Sequence, residues 1–295
     1  MLLERDRNLL IEARQTTRTV ARTFAIAVRL LPREIRDDVY LLYLVFRTLD
    51  DLVDEHHPQA AARVTAVEAW CAGGEAATTE ARSTGGEAAT SEARSAGDEA
   101  ATTEARILAD LATRHPIPRD AVADFCAGMR SDLEFAPLRT EADLDTYCYR
   151  VAGTVGVVMA AVLGTDGDPA AARRTAAALG MAMQRTNILR DIDEDRGNGR
   201  TYLAVETVQR FGVPEPGRRE VLLRDQITRA DALYDEGIAG IVLLRSGGRA
   251  IRAAAAMYRE ILRQIERDGY GRRPGRAVVS RRRKLAVAAR RGFVS

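Results

Sequence analysis

Residues 46–55 read Phe46-Arg47-Thr48-Leu49-Asp50-Asp51-Leu52-Val53-Asp54-Glu55, and residues 184–195 read Gln184-Arg185-Thr186-Asn187-Ile188-Leu189-Arg190-Asp191-Ile192-Asp193-Glu194-Asp195. Both runs space their polar groups for a helix. Tyr43, Arg47, Asp50 or Asp51, and Asp54 lie three or four residues apart and share one face, as do Gln184, Asn187, Asp191 and Asp195. Like charges stacked at that spacing repel by a few tenths of a kcal/mol even on an exposed helix. A solvated acidic face is the ordinary explanation of one such cluster. Two clusters set among Leu41, Leu44, Val45, Leu49 and Ile188, Leu189, Ile192 need something positive between them. Magnesium suits the pattern, because it takes hard oxygen ligands from a few carboxylates together with substrate phosphate. Arg47 and Arg190, beside the acids, would grip the same phosphate oxygens with planar paired donors.

The rest of the chain supports an all-α fold. Its 295 residues are 46% hydrophobic and 29% charged, with only 5% aromatic. Ala, Leu and Arg dominate, which favours helix, and long β-branched runs at period two are absent. A net charge of +2 leaves no whole-molecule footprint for nucleic acid. Lys284 is the only lysine and sits in a basic run, which removes Schiff-base chemistry. Cys71, Cys126 and Cys148 are odd in number and not spaced as CxxC, so isolated thiols in a reducing compartment are expected. His56, His57 and His115 form no ligand pattern. The charged first residues show no signal peptide, and no stretch approaches the roughly 20 apolar residues of a membrane span. A cytoplasmic protein is expected.

One segment differs in kind. Residues 73–84, 85–96 and 97–106 form a tandem repeat, GGEAATTEARST, GGEAATSEARSA and GDEAATTEAR, whose only apolar residue is Ala. With so little to bury, it reads as a mobile or frayed insertion at about 73–106, without catalytic role, in a single domain spanning 1–295. Around it, helices are expected over Arg33 to about Glu55, up to Trp70, and over 104–114, 118–134 and 141–164. A long helix opened by Asp168-Pro169 should run to about Asp195 and close at Gly197-Asn198-Gly199. Further helices fit 204–212, 218–245, 248–268 and 278–291.

These residues resemble the phytoene, squalene and dehydrosqualene synthase family over nearly the whole chain except the repeat. Ala21-Arg22-Thr23-Phe24 with Leu30-Leu31-Pro32 looks like its entry segment, and Tyr40 to Glu55 like its first aspartate helix. Gly128-Met129-Arg130 with Asp132-Leu133, and Tyr147 to Gly156, match mid-chain signatures. Gln184 to Asp195 with Arg200-Thr201-Tyr202-Leu203 resembles the second aspartate signature. Tyr258, Gly269-Tyr270 and Arg276 to Ser280 look like the closing motifs.

The resemblance implies an isoprenoid-synthase-type helical bundle with a central cavity, its aspartate helices facing across the mouth. It implies head-to-head condensation of two allylic prenyl diphosphates (C10–C20), through a cyclopropyl carbinyl diphosphate, to a C30 or C40 hydrocarbon. Asp50, Asp51, Asp54, Asp191 and Asp195 would bridge several magnesium ions to the diphosphates. Arg47, Arg190, Arg200, Tyr202 and Arg276 would hold phosphate oxygens, with Gln184 and Asn187 on polar parts of the substrates or the metal shell. Phe24, Tyr43 and Tyr258 would line the cavity. A GxGxxG after a strand is missing, so NADPH is not favoured. Gly153, Thr154 and Gly156 would let backbone and substrate, or two helices, approach closely.

Three departures keep other readings open: Arg185 where the family has an apolar residue, Ala204 in place of proline, and no tyrosine in 136–140. The first alternative delivers the allylic cation to an aromatic acceptor or into a cyclisation. The second is a non-catalytic scaffold that kept the fold. Arg185 is expected beside Gln184 at the edge of the site, where it would be paired, exposed or in contact with a ligand. Arg281-Arg282-Arg283-Lys284 reads as a solvated helix face, with peripheral attraction to anionic lipid as the alternative.

Overall fold

A computed structural model describes residues 4–20, 22–73 and 102–292, and among them every regular element is a helix, with a single isolated β-bridge between Thr165 and Leu244. The helices are α1 (Glu4–Val20), α2 (Arg22–Val28), α3 (Arg33–Asp54), α4 (Ala60–Cys71), α5 (Thr103–Ala112), α6 (Arg119–Leu133), α7 (Glu141–Cys148) and α8 (Thr154–Leu163). They continue as α9 (Pro169–Gly197), α10 (Val205–Phe211), α11 (Glu220–Ala239), α12 (Gly248–Arg267) and α13 (Arg281–Gly292). A π-helical turn, Tyr149–Gly153, joins α7 to α8, and a 3-10 turn, Gly240–Leu243, follows α11.

The two aspartate helices form for reasons visible in their composition. In α3, Val39, Leu42, Phe46, Leu49 and Val53 recur every three or four residues and are all buried, which leaves Tyr43, Arg47, Asp50 and Asp54 on another face. In α9, Asp168 caps the start by accepting from the Ala170 amide at 2.9 Å, and Pro169 occupies the first turn. Its buried stripe runs Ala178, Ala182, Arg185, Leu189 and Ile192. Arg185 therefore belongs to the stripe that packs toward α11, and the acidic face lies to one side of it.

Small residues set how closely α9 approaches its neighbours. A methyl group on Gly180 would stand 2.2 Å from the Ala152 carbonyl oxygen, and one on Gly156 would stand 2.3 Å from that of Ala176. Backbone meets backbone at both points, so Gly180 and Gly156 serve helix packing, and Gly156 also lines the cavity. Apolar groups around α3 (Leu42, Leu49, Leu108, Phe125) and around α9, α11 and α12 (Leu189, Ile227, Tyr234, Leu262) form two buried cores. The 23-residue run Glu141–Leu163 is long and apolar enough to cross a membrane, contrary to expectation, but more than half of its apolar window is buried in the bundle.

Most of the repeat, residues 74–101, lies outside the described residues, but its tail corrects the sequence reading. Thr102 caps α5, and Glu104 is only 2% exposed, held by the Arg63 Nε at 3.0 Å. The insertion thus ends at the cap, before Glu104. Two elements went unanticipated: α1 and α2 precede Pro32, and Leu10, Ala13 and Thr17 of α1 form a buried stripe in an otherwise charged helix. The remaining boundaries shift by a residue or a few, most at α11, whose last turn gives way to the 3-10 segment.

Candidate active site

A cavity of about 320 Å³ lies between the cores, with α3, α9, the π turn, α8 and α12 as its walls. Its deeper lining is apolar: Val155, Met159, Leu163, Leu179, Met183, Ile241 and Leu244. Phe24 and Tyr43 stack with ring centroids 5.1 Å apart on one wall, and Tyr258 faces the same space. The polar groups gather at one end, where Arg47, Asp50 and Gln184 line the cavity. The π turn brings Val151 and Ala152 to the wall.

At that end the first acidic face is organised by Arg47. Its Nη1 lies 2.9 Å from Asp50 Oδ2, and its Nε donates to Asp51 Oδ2 at 3.0 Å. Burial opposes the Arg47 charge, but Asp50 and Asp51 outweigh it and hold the guanidinium protonated. Asp50 is pushed up to about 7, first by burial and then by Asp54, with Arg47 pulling the other way. Its side chain keeps 40% exposure, so water at the mouth tempers that shift. Asp54 is raised by burial too, against Arg200, whose Nη1 stands 3.8 Å away.

The second face is built alike. Arg190 Nε donates to Asp191 Oδ1 at 2.8 Å, and Arg276 Nε reaches the same oxygen at 2.9 Å. Asp195 is pushed up to about 7 by burial, then by Asp191, Glu194 and Asp54. Asp54 belongs to α3, so the two acidic faces lie within electrostatic reach of one another. Arg200 ties their ends together: its Nη1 donates to the Tyr202 hydroxyl at 3.2 Å, and its Nη2 approaches His56 Nε2 at 3.2 Å.

The arrangement fits a hard cation. Among the described residues no three carboxylate, imidazole or thiol groups converge closely enough to enclose a metal ion by themselves. Each carboxylate instead retains an arginine partner or stands apart, as expected where ions are shared with substrate phosphate. The donors are all oxygen. Asn187 adds an orphan: Gln184 Oε1 accepts from its Nδ2 at 3.3 Å, while its own Oδ1 is buried without a hydrogen-bond partner among the described residues. Carboxylates that raise one another's pKa and an unfilled buried acceptor describe a site short of positive charge.

Arg185 lies elsewhere. It is 3% exposed and turned from the cavity, with Nη2 on Glu141 at 2.9 Å and Asp145 at 2.6 Å and Nη1 on Gln226 at 2.9 Å. It joins α9 to α7 and α11. The expectation that it edges the site is overturned, because position 185 falls on the packed stripe about 100° around the helix from 184.

The structure also adds groups that spacing alone did not flag. Asp132 is 6% exposed, accepts from the Tyr147 hydroxyl at 3.2 Å, and is raised by burial to about 6, with Asp54 adding to the rise. Tyr147 stacks on Tyr202 at 5.2 Å and lines the cavity, and burial holds its hydroxyl protonated. Lys284, expected on a solvated face, donates from Nζ to the Thr23 hydroxyl at 2.9 Å, beside Phe24. The Gly128–Leu133 signature contained Asp132, so that residue was visible. Lys284 carried no such signal.

A helical bundle whose two acidic faces meet over an apolar cavity defines an isoprenoid synthase of the all-α class. Residues 17–283 match the family model described as squalene/phytoene synthase. A phytoene synthase of Thermus thermophilus is 37% identical over 257 residues, covering 84% of this chain and 80% of that protein. The 15-cis-phytoene synthase of Synechococcus elongatus is 33% identical, covering 93% and 89%. Among solved structures, a dehydrosqualene synthase crystallised with a ligand superposes with a TM-score of 0.80 at 26% identity, covering 97% and 96% of the two chains. The chain belongs to the squalene/phytoene synthase family and is a prenyltransferase.

Proposed function

We propose that the protein condenses two allylic prenyl diphosphates head-to-head, in the presence of magnesium, to a C30 or C40 hydrocarbon of the phytoene or dehydrosqualene type. The observation that carries this reading is the meeting of two arginine-braced acidic faces over an apolar cavity. On this reading Asp50, Asp51, Asp54, Asp191 and Asp195 hold the metal, with Asn187 Oδ1 available to it. Bound magnesium supplies the positive charge that lets a diphosphate leave. Arg47, Arg190, Arg200 and Arg276 hold phosphate oxygens, and Tyr202 fixes Arg200. The apolar wall excludes water from the allylic cation, so the double bond of the second substrate captures it. Phe24, Tyr43 and Tyr258 present aromatic faces there, which favour a passing cation.

Arg185 was the main residue favouring an aromatic acceptor, and it points away from the cavity, so that reading loses its ground. A scaffold would have no use for the unfilled acceptor on Asn187. The test is incubation of purified protein and magnesium with C10, C15 and C20 allylic diphosphates, followed by identification of the hydrocarbons. Asp50→Ala and Asp191→Ala should each lower turnover by orders of magnitude with the helical signal intact. Turnover near wild type with magnesium chelated would refute the metal assignment.

A further inference from the structure

A second recess, about 400 Å³ in volume, lies behind the second aspartate helix, between α9 and the loop that follows α12. Six arginines line it (Arg190, Arg219, Arg267, Arg272, Arg273 and Arg276) against two acids, Asp193 and Asp268. Asp193 is already committed: Arg219 Nη1 and Nη2 donate to it at 2.6 and 2.8 Å, and the Gly275 amide donates to it at 2.7 Å. Those bonds, Arg219 foremost, hold Asp193 below the usual carboxylate range. Even so, Arg219 is 3% exposed and its Nε lacks an acceptor among the described residues. Gly271, with φ +69°, leaves the space the guanidinium occupies, since a methyl group there would stand 2.1 Å from Nε. Arg272 and Arg273 are exposed and their side chains make no ion pair or hydrogen bond among the described residues.

A concave site with an unmatched buried donor and two free guanidinium groups is organised for an oxyanion with several acceptor oxygens. We propose that this cleft is an anion site, adjoining the metal-dependent mouth through Arg190 and Arg276, that binds a phosphate-type anion such as inorganic diphosphate without a divalent cation. Arg190 and Arg276 line the cleft and also reach Asp191, so the site adjoins the place where diphosphate would be released. In that respect it extends the proposed function, but the binding follows from the cleft alone.

The test is calorimetric titration of the full chain with sodium diphosphate in EDTA at low ionic strength, which leaves the proposed catalysis out of the readout. Wild type should bind, and Arg272→Ser/Arg273→Ser should weaken binding by about tenfold or more. The charge-keeping Arg272→Lys/Arg273→Lys should recover most of the loss, and an unchanged thermal unfolding midpoint would show that the serine pair still folds. Arg47→Gln, at the acidic mouth, should leave affinity within about twofold, since Arg47 does not line the cleft. Absence of binding in wild type would overturn the proposal. So would loss in Arg47→Gln with none in the serine pair. A parallel co-sedimentation with phosphatidylglycerol vesicles separates the sources: capture by vesicles that needs Arg272 and Arg273, without binding of free diphosphate, would also overturn it.

Discussion

Asp132→Asn should make the metal-free protein more stable at pH 8 and leave it nearly unchanged at pH 4. Asp132 is almost fully buried, and its pKa rises from the ordinary 3.8 to about 6, mainly through burial. A carboxyl whose folded pKa exceeds its unfolded pKa binds its proton more tightly when folded. Stability therefore falls as pH climbs from 3.8 toward 6, and the full cost persists above that. At about 1.36 kcal/mol per pH unit, the ionised group costs on the order of 3 kcal/mol. Asn keeps an acceptor for the Tyr147 hydroxyl and carries no charge. Asp50 and Asp195 remain in both proteins, and Asp50 loses the upward push it takes from the Asp132 charge, which acts in the same direction as the gain at pH 8. Urea unfolding followed by helical circular dichroism, in chelator at pH 4 and pH 8, measures the difference. If the variant is less stable than wild type at pH 8, Arg200 and the two tyrosines stabilise the Asp132 charge more than burial penalises it, and the reasoning fails.

Arg185→Leu should destabilise by on the order of 3 kcal/mol, because Glu141 and Asp145 lose their buried partner, while the product mixture stays unchanged. A changed product mixture would return Arg185 to the site. Gly180→Ala should cost at least about 3 kcal/mol or prevent folding, since the added carbon meets the Ala152 carbonyl; a melting temperature close to wild type would show that α9 can shift. Replacing residues 74–101 with a short glycine-serine linker should leave melting temperature and turnover nearly as they are. Extending the deletion through 105 should cost about 3 kcal/mol more by removing Glu104 from Arg63. Equal melting temperatures for the two deletions would contradict the pairing at Arg63.

The sequence disclosed what depends on local spacing. The spacing of Tyr43, Arg47, Asp50 and Asp54 declares a helix and their common face, and the structure buries the stripe Val39, Leu42, Phe46, Leu49 and Val53 beside it. Asp168-Pro169 declared the start of α9 in the same way. Partners brought together by the fold were not legible. Arg185 looked like a neighbour of Gln184, yet one step around the helix carries it from the acidic face to the packed stripe, where Glu141 and Asp145 arrive from α7. Glu104 belonged to a repeat whose only apolar residue is Ala, and its ion pair with Arg63 on α4 gives it a reason to be buried. The charged run of α1 concealed a stripe of Leu10, Ala13 and Thr17 too sparse to stand out. Lys284 shared its segment with three arginines, and nothing local distinguished the one that reaches Thr23.

The π turn at Tyr149–Gly153 amounts to an α-helix with one residue inserted. Each residue advances a helix by about 100°, so an insertion rotates everything after it by that much. Val155, Gly156 and Met159 of α8 face the cavity in a register set by this extra residue, and Gly156 meets Ala176 in the same register. Loss of any one residue between 149 and 153 would heal the hydrogen-bond ladder locally while swinging the cavity wall away. A shortening that looks harmless in an alignment of lengths would thus remove a wall of the cavity and unseat the contact between α8 and α9 together.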